Sequence, residues 1–283
     1  MDTTLHHLDR GDGRLAYTSH GAGPLVVLVP GMGDLRSTWR DLAGPLAEAG
    51  HRVIALDLRG HGDSDATFAE LGLVPIAQDV LALLEHLDEP AVIIGNSVGA
   101  GAAAWVANAR PDLVAGLVLI AAHLQDHGPA GLAARLQVSL LLRRPWGPAA
   151  WAWYYRSLNN GHQAPWLGEH INALRASLRR PGRMEAFGAL ARSLVTDKVD
   201  IAVQDIQAPA LVLYGEGDKE FPDPAAELDW LVERLPQATG SLIPDSGHYP
   251  QGQRPDVVVP AVLGHVATLP RTDSAWVSGA ARA

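Results

Sequence analysis

Five short apolar runs, each bounded by turn residues and spaced far enough apart to admit a helix, do most to restrict how this chain can fold. Leu25–Val29 lies between Gly23-Pro24 and Pro30-Gly31, Arg52–Leu56 follows Gly50 and ends at Asp57, and Ala91–Ile94 follows Glu89-Pro90. Leu117–Ala121 follows Gly116, and Ala210–Tyr214 lies between Pro209 and Gly215. The runs are nearly continuous in apolar residues rather than alternating, which is the pattern of parallel strands covered on both faces. The segments between them have helical spacing. Ser37–Ala49 places Trp39, Leu42, Leu46 and Ala49 on one stripe, and Val74–Leu87 does the same with Ile76, Val80, Leu83, Leu84 and Leu87. Val98–Ala109 is rich in small residues suited to close packing on a sheet, and Arg254–Leu269 reads as a last helix that Pro260 should kink or break. Strand–helix alternation of this kind argues an α/β fold with a mostly parallel, doubly wound sheet. The first twenty residues, with Gly11-Asp12-Gly13 between Leu8 and Leu15, read as an antiparallel hairpin at the sheet edge.

The alternation pauses after Ala122 and resumes at Ala210. Between them the chain shows helical stretches and Pro-Gly punctuation but no convincing strand. Charge marks the same boundary: from His123 to Lys198 the net charge is +6, while the rest carries −15. Four of the eight tryptophans (Trp146, Trp151, Trp153 and Trp166) also fall there. We therefore expect a body in two parts, 1–122 and 200–269, interrupted by an inserted helical cap, 123–199, and followed by a loose tail, 270–283.

At a net charge of −9 and a pI near 5.7, the chain lacks the basic footprint that phosphate contacts require, so nucleic acid is not an expected partner. The absence of cysteine excludes disulfides, a thiol nucleophile and thiolate metal sites. Ala91–Ala109 is uncharged but interrupted by Gly95-Asn96-Ser97, so no stable membrane insertion is expected. Met1–His7 lacks the basic start and apolar run of a signal peptide, and a cytoplasmic location is the expectation. His123 and His127 have a spacing that could hold a metal, but no acidic third ligand of recognisable spacing accompanies them. Neither a metal nor an organic cofactor is expected.

Gly95-Asn96-Ser97-Val98-Gly99 is where chemistry first enters. The G-x-S-x-G pattern alone is weak. Its placement between a strand and a helix is what makes it a nucleophile elbow, with the serine hydroxyl held clear of a sharp turn. A serine hydroxyl attacks only when an imidazole takes its proton, and a carboxylate must orient that imidazole. His248 lies in the loop between the strand-like Gly240–Ile243 and the last helix, on the sheet edge that a parallel topology shares with the elbow.

With these motifs the chain resembles the α/β-hydrolase family over nearly all of residues 5–269. Val29-Pro30-Gly31-Met32-Gly33-Asp34 resembles the family's oxyanion loop, and Asp57-Leu58-Arg59-Gly60-His61-Gly62-Asp63-Ser64 resembles its D-x-R-G-x-G-x-S turn, in which His61 reads as structural. The resemblance implies a Ser97, Asp218, His248 triad: Asp218 matches the G-x-x-D position after the strand ending at Tyr214, and His248 matches the G-H motif. Asp126 occupies a position that some relatives use for the acid. Glu216 reads as loop-forming and Asp245 as a brace for the histidine loop. Matching positions gives the backbone N–H groups of Met32 and Val98 as oxyanion donors. Pro30-Gly31 departs from the family's His-Gly, which puts the positioning of that loop in question, and Asn96 replaces the commoner histidine before the serine.

Trp146, Trp151, Trp153, Tyr154 and Tyr155 are candidates to line an acyl pocket, with Arg143, Arg144, Arg156, Arg179, Arg180 or Arg183 near its rim. That arrangement would suit a small-molecule acyl substrate with an aromatic or anionic part. Alternatively, the arginines coat the solvent face and the aromatics merely pack the cap. A serine at the elbow, where haloalkane dehalogenases and epoxide hydrolases carry an Asp, points to acyl chemistry. The expected activity is hydrolysis of carboxylic esters or lactones, with thioesters behind them. The same triad also serves C–C bond cleavage, lactone formation and acyl transfer, and Pro30–Trp39 looks somewhat like slow-turnover ligand sensors that act through a protein partner.

Overall fold

Each of the five apolar runs forms a strand, and three more complete the sheet. The computed structural model describes residues 4–125, 141–197 and 199–270. In chain order the strands are β1 (Thr4–Asp9), β2 (Arg14–His20), β3 (Leu25–Val29), β4 (Arg52–Leu56), β5 (Ala91–Asn96), β6 (Val114–Ile120), β7 (Ala210–Gly215) and β8 (Ala238–Ile243). They form one eight-stranded sheet in the order β1-β2-β4-β3-β5-β6-β7-β8. The β1–β2 hairpin is antiparallel and sits at the edge, β2 joins β4 antiparallel, and the remaining pairs are parallel. Every residue of β3, β5 and β7 is buried, as continuous apolar runs in a covered sheet require.

The helices follow the spacing with local differences. The stretch read as one helix from Ser37 divides into a 3-10 turn, Arg36–Trp39, and α1 (Arg40–Glu48). Helix α2 (Leu73–Leu87) takes Pro75 in its first turn, and α3 (Val98–Ala109) begins directly after Ser97. Helices α4 (Gly147–Leu158), α5 (Leu167–Arg179) and α6 (Arg183–Thr196) lie between β6 and β7, then α7 (Pro224–Arg234), the short α8 (Pro250–Gln253) and α9 (Pro255–Thr268) close the chain. Contrary to expectation, Pro260 does not break α9. It lies on the exposed face, as does Asp256, whose carbonyl loses its intrahelical donor.

The parallel pairs bring the C-terminal ends of β3, β5, β6, β7 and β8 to one edge, so the loops that follow them open together. Helices α4, α5 and α6 gather a separate apolar cluster around Trp151, Tyr155, Leu174 and Phe187, and Tyr249 from beyond β8 inserts into it. Among the described residues no helix is long and apolar enough to cross a membrane.

Candidate active site

Ser97 joins β5 directly to α3 with φ 54° and ψ −120°, a conformation that non-glycine residues rarely adopt and that costs on the order of 1–3 kcal/mol. The flanking glycines make the turn possible. A Cβ at Gly95 would lie 2.3 Å from the Gly99 carbonyl oxygen, and one at Gly99 would lie 2.3 Å from that of Val29. The Ser97 N–H donates to the Ile120 carbonyl at 2.9 Å, tying the turn to β6, while its own carbonyl accepts from Ala100 at 2.9 Å. Val98 is the first residue of α3, so its N–H has no intrahelical acceptor and points out of the positive end of the helix.

Asp218 follows β7, and His248 follows β8. The His248 Nδ1 lies 2.7 Å from Asp218 Oδ2, with both side chains buried. The other Asp218 oxygen, Oδ1, accepts the Glu220 N–H at 3.0 Å. The histidine loop is fixed from several directions. His248 N–H donates to the Leu158 carbonyl at 2.9 Å, the Asn96 amide donates to the His248 carbonyl at 3.0 Å, and Gln253 Oε1 accepts the Gly247 N–H at 2.9 Å. Burial alone would lower the His248 pKa, but the charge of Asp218 and its hydrogen bond leave it above the ordinary imidazole value. With Nδ1 committed to a carboxylate, Nε2 is the nitrogen left for the site. Ser97 and His248 are both walls of one cavity of about 1640 Å³, although no hydrogen bond joins them in this structure.

Met32, after β3, lines the same cavity as Ser97 and Val98. Its loop is held by side chains from elsewhere in the chain. His61 Nε2 accepts the Gly33 N–H at 3.0 Å, and His61 Nδ1 donates to the Arg59 carbonyl at 2.9 Å. Those two roles define a neutral ring. Burial pushes the His61 pKa down to about 4, with the nearby charge of Arg183 adding to the fall, so the acceptor persists at neutral pH. From the inserted helices, Trp151 Nε1 donates to the Gly33 carbonyl at 2.9 Å, and Tyr155 donates its hydroxyl to Asp34 at 3.1 Å. His170 Nε2 lies 2.6 Å from the other Asp34 oxygen, and its Nδ1 lies 3.3 Å from Ser37 Oγ. The loop that departs from the His-Gly pattern is thus positioned by tertiary contacts.

Trp151, Trp153 and Tyr154 line the cavity, whereas Trp146 is outside its described lining, as is Tyr155, which is buried in the apolar cluster instead. None of Arg143, Arg144, Arg156, Arg179, Arg180 or Arg183 is among the described lining residues. Arg144 pairs with Glu185 at 3.2 Å, Arg180 donates to the Gly62 carbonyl at 2.7 Å, and Arg183 donates to the His61 carbonyl at 3.3 Å. The Glu216 N–H bonds to the Ile243 carbonyl at 3.0 Å, and the Asp245 carbonyl accepts the His162 N–H at 2.8 Å, both as loop contacts. Asp126 and His127 lie outside the described residues. Among the described residues no group of three or more His, Asp or Glu side chains is placed to hold a metal ion.

Sequence reasoning missed Asn96 as an anchor of the histidine loop, the Asp34–His170 pair, Gln253 and Glu220. Only the unusual Asn before the serine carried a signal. Buried polar partners far apart in sequence, such as Asp34 and His170, leave no periodic trace.

A family model described as alpha/beta hydrolase fold matches residues 24–255. A pimeloyl-[acyl-carrier protein] methyl ester esterase of Aromatoleum aromaticum is 31% identical over 244 residues, covering 82% of this chain and 94% of the relative. A thermophilic esterase from Thermogutta terrifontis superposes with a TM-score of 0.77 at 25% identity, covering 94% of this chain and 98% of that one. The enol-lactonase from Burkholderia xenovorans LB400 gives a TM-score of 0.76 at 21% identity, covering 93% of this chain and all of that one (100%), and its likeness is one of fold.

Proposed function

The chain belongs to the alpha/beta hydrolase fold family, and from that premise we propose that it hydrolyses carboxylic esters or lactones, with thioesters as the next class, through an acyl-enzyme on Ser97. His248 Nε2 takes the Ser97 proton as the oxygen attacks the carbonyl carbon. The Met32 and Val98 N–H groups receive the oxyanion, each such donor being worth about 3–4 kcal/mol. The protonated His248, stabilised by Asp218, returns the proton to the leaving alkoxide as the C–O bond breaks. His248 then takes a proton from water, hydroxide adds to the acyl carbon, and Ser97 leaves with the proton restored. In this reading residues 123–199 act as a cap over a body made of 1–122 and 200–269.

The observation that carries the reading is a strained, half-buried Ser97 lining one cavity with His248, whose ring is paired with the buried Asp218. In sites without substrate the nucleophile–base hydrogen bond is often open and closes in the complex. The names of the esterase relatives support ester chemistry. The test is labelling with a serine-directed fluorophosphonate followed by peptide mass mapping. Modification at Ser97, lost in Ser97→Ala and strongly slowed in His248→Ala, is expected. Folded protein that takes no label would refute the assignment.

A further inference from the structure

The cavity that holds Ser97 and His248 is walled by a carboxylate. Glu220 lines the cavity with Ser97 and His248. Its backbone N–H is held by Asp218 Oδ1 at 3.0 Å, so the residue is fixed by the same carboxylate that orients His248. Tyr154 donates its hydroxyl to Glu220 Oε1, and His123 Nε2 lies 3.8 Å from Oε2. The His123 ring stacks on Phe221 at 4.3 Å between centroids and lies 6.0 Å from the ring of His248. A carboxylate has about four acceptor positions, so these contacts leave room for a donor from a ligand.

The surroundings carry the same sign. Asp218, Glu220 and Asp34 all act on His248 as negative charges. Lys219 turns its amine to the Ser157 carbonyl at 3.3 Å. Among the described lining residues Arg234 alone carries a permanent cation, and its guanidinium lies over Trp230, 4.6 Å from the ring centroid. The leaving-group oxygen must reach His248 Nε2 to be protonated, so groups flanking His248 face the alcohol part of an ester.

We propose that Glu220 is a specificity-determining residue that selects esters whose alcohol part carries an ammonium group and discriminates against those carrying a carboxylate. This rests on the ester-hydrolase reading. An ammonium head donates to the remaining lone pairs of Glu220, while a carboxylate there meets a like charge, and Arg234, the one described lining arginine, is stacked over Trp230.

Three butyrate esters of matched length test it: pentyl butyrate, 5-aminopentyl butyrate and 5-butyryloxypentanoate, followed by release of butyrate. At low salt the wild-type kcat/KM for the ammonium ester should exceed that for the carboxylate ester by about tenfold or more, and Glu220→Gln should shrink the ratio to within about threefold. The wild type also supplies a second readout that needs no variant: pentylammonium should inhibit turnover of pentyl butyrate at lower concentration than pentanoate does. A preference for the carboxylate ester, a ratio unchanged in Glu220→Gln, or stronger inhibition by pentanoate would overturn the proposal while pentyl butyrate is still hydrolysed. No hydrolysis of any of the three would remove the ester-hydrolase reading itself, and the selectivity with it.

Discussion

The side-chain amide of Asn96 donates to the backbone carbonyl of His248 at 3.0 Å, linking the residue before Ser97 to the residue whose ring faces the same cavity. Asn96 is fully buried, and 152 positions separate it in sequence from the carbonyl it holds. The bond sets the distance between the two loops independently of any contact between Ser97 and the imidazole. Asn96→Ala leaves a buried carbonyl without its donor, so a loss of about 1–3 kcal/mol is expected, together with a fall in kcat larger than the change in KM. Urea unfolding and steady-state kinetics on p-nitrophenyl butyrate measure the two effects. Equal kcat in variant and wild type would show that the link is structural only.

The raised pKa of His248 predicts the acid side of the activity profile. Its ordinary value is 6.5, and the folded value lies above it through the charge and hydrogen bond of Asp218. If His248 is the base proposed above, its free form should predominate only at some pH above 6.5, and log kcat/KM should rise with pH through that limb. Asp218→Asn should move the limb to lower pH and reduce kcat by about a factor of 10³–10⁴, since the ring loses both its charge partner and its enforced tautomer. A limb that stays in place would argue that another group titrates.

His61 titrates in the opposite sense. Its folded pKa, about 4, lies below the ordinary 6.5, so its contribution to stability is complete above pH 6.5 and disappears as pH falls toward 4. The span corresponds to a loss on the order of 3 kcal/mol. His61→Gln, whose amide oxygen can still accept the Gly33 N–H, should show a smaller drop in Tm between pH 7 and pH 5 than the wild type. His61→Phe, which cannot accept, should in addition lose kcat. Thermal melts across pH and kinetics at pH 7.5 check both.

The Asp34–His170 contact spans 2.6 Å between two side chains with no exposed surface. Removing one member of such a pair leaves the other buried and under-satisfied, typically a loss of about 1–3 kcal/mol. His170→Leu should sit at the lower end, because Tyr155 and the Leu35 N–H still donate to Asp34, whereas Asp34→Leu strands both His170 and Tyr155. Chemical denaturation of the two variants gives the order, and the reverse order would contradict this account.

The sheet was legible because its strands are short, apolar and covered on both faces, so Leu25–Val29 and Ala210–Tyr214 announce themselves without any partner in view. The convergence of the loops carrying Ser97 and His248 was legible for a related reason, as loops at one end of parallel strands must meet. The support around them was not. Nothing local in Gly33 indicates that His61 will accept its N–H or that Trp151 will hold its carbonyl, because both partners arrive by tertiary packing. The two readings of the arginines, pocket rim or solvent face, could not be separated in sequence for the converse reason. Their clustering in sequence gives no direction, and Arg144, Arg180 and Arg183 are engaged by Glu185 and by the backbone carbonyls of Gly62 and His61.

Helix α4 presents Trp153 and Tyr154 to the cavity and, through Trp151, grips the carbonyl of Gly33. Breadth of substrate acceptance and turnover rate are consequently not independent traits of this molecule. If the proposed ester chemistry holds, remodelling α4 to admit a bulkier substrate should also disturb the Met32–Gly33 loop that Trp151 holds, and the two effects would have to be recovered together.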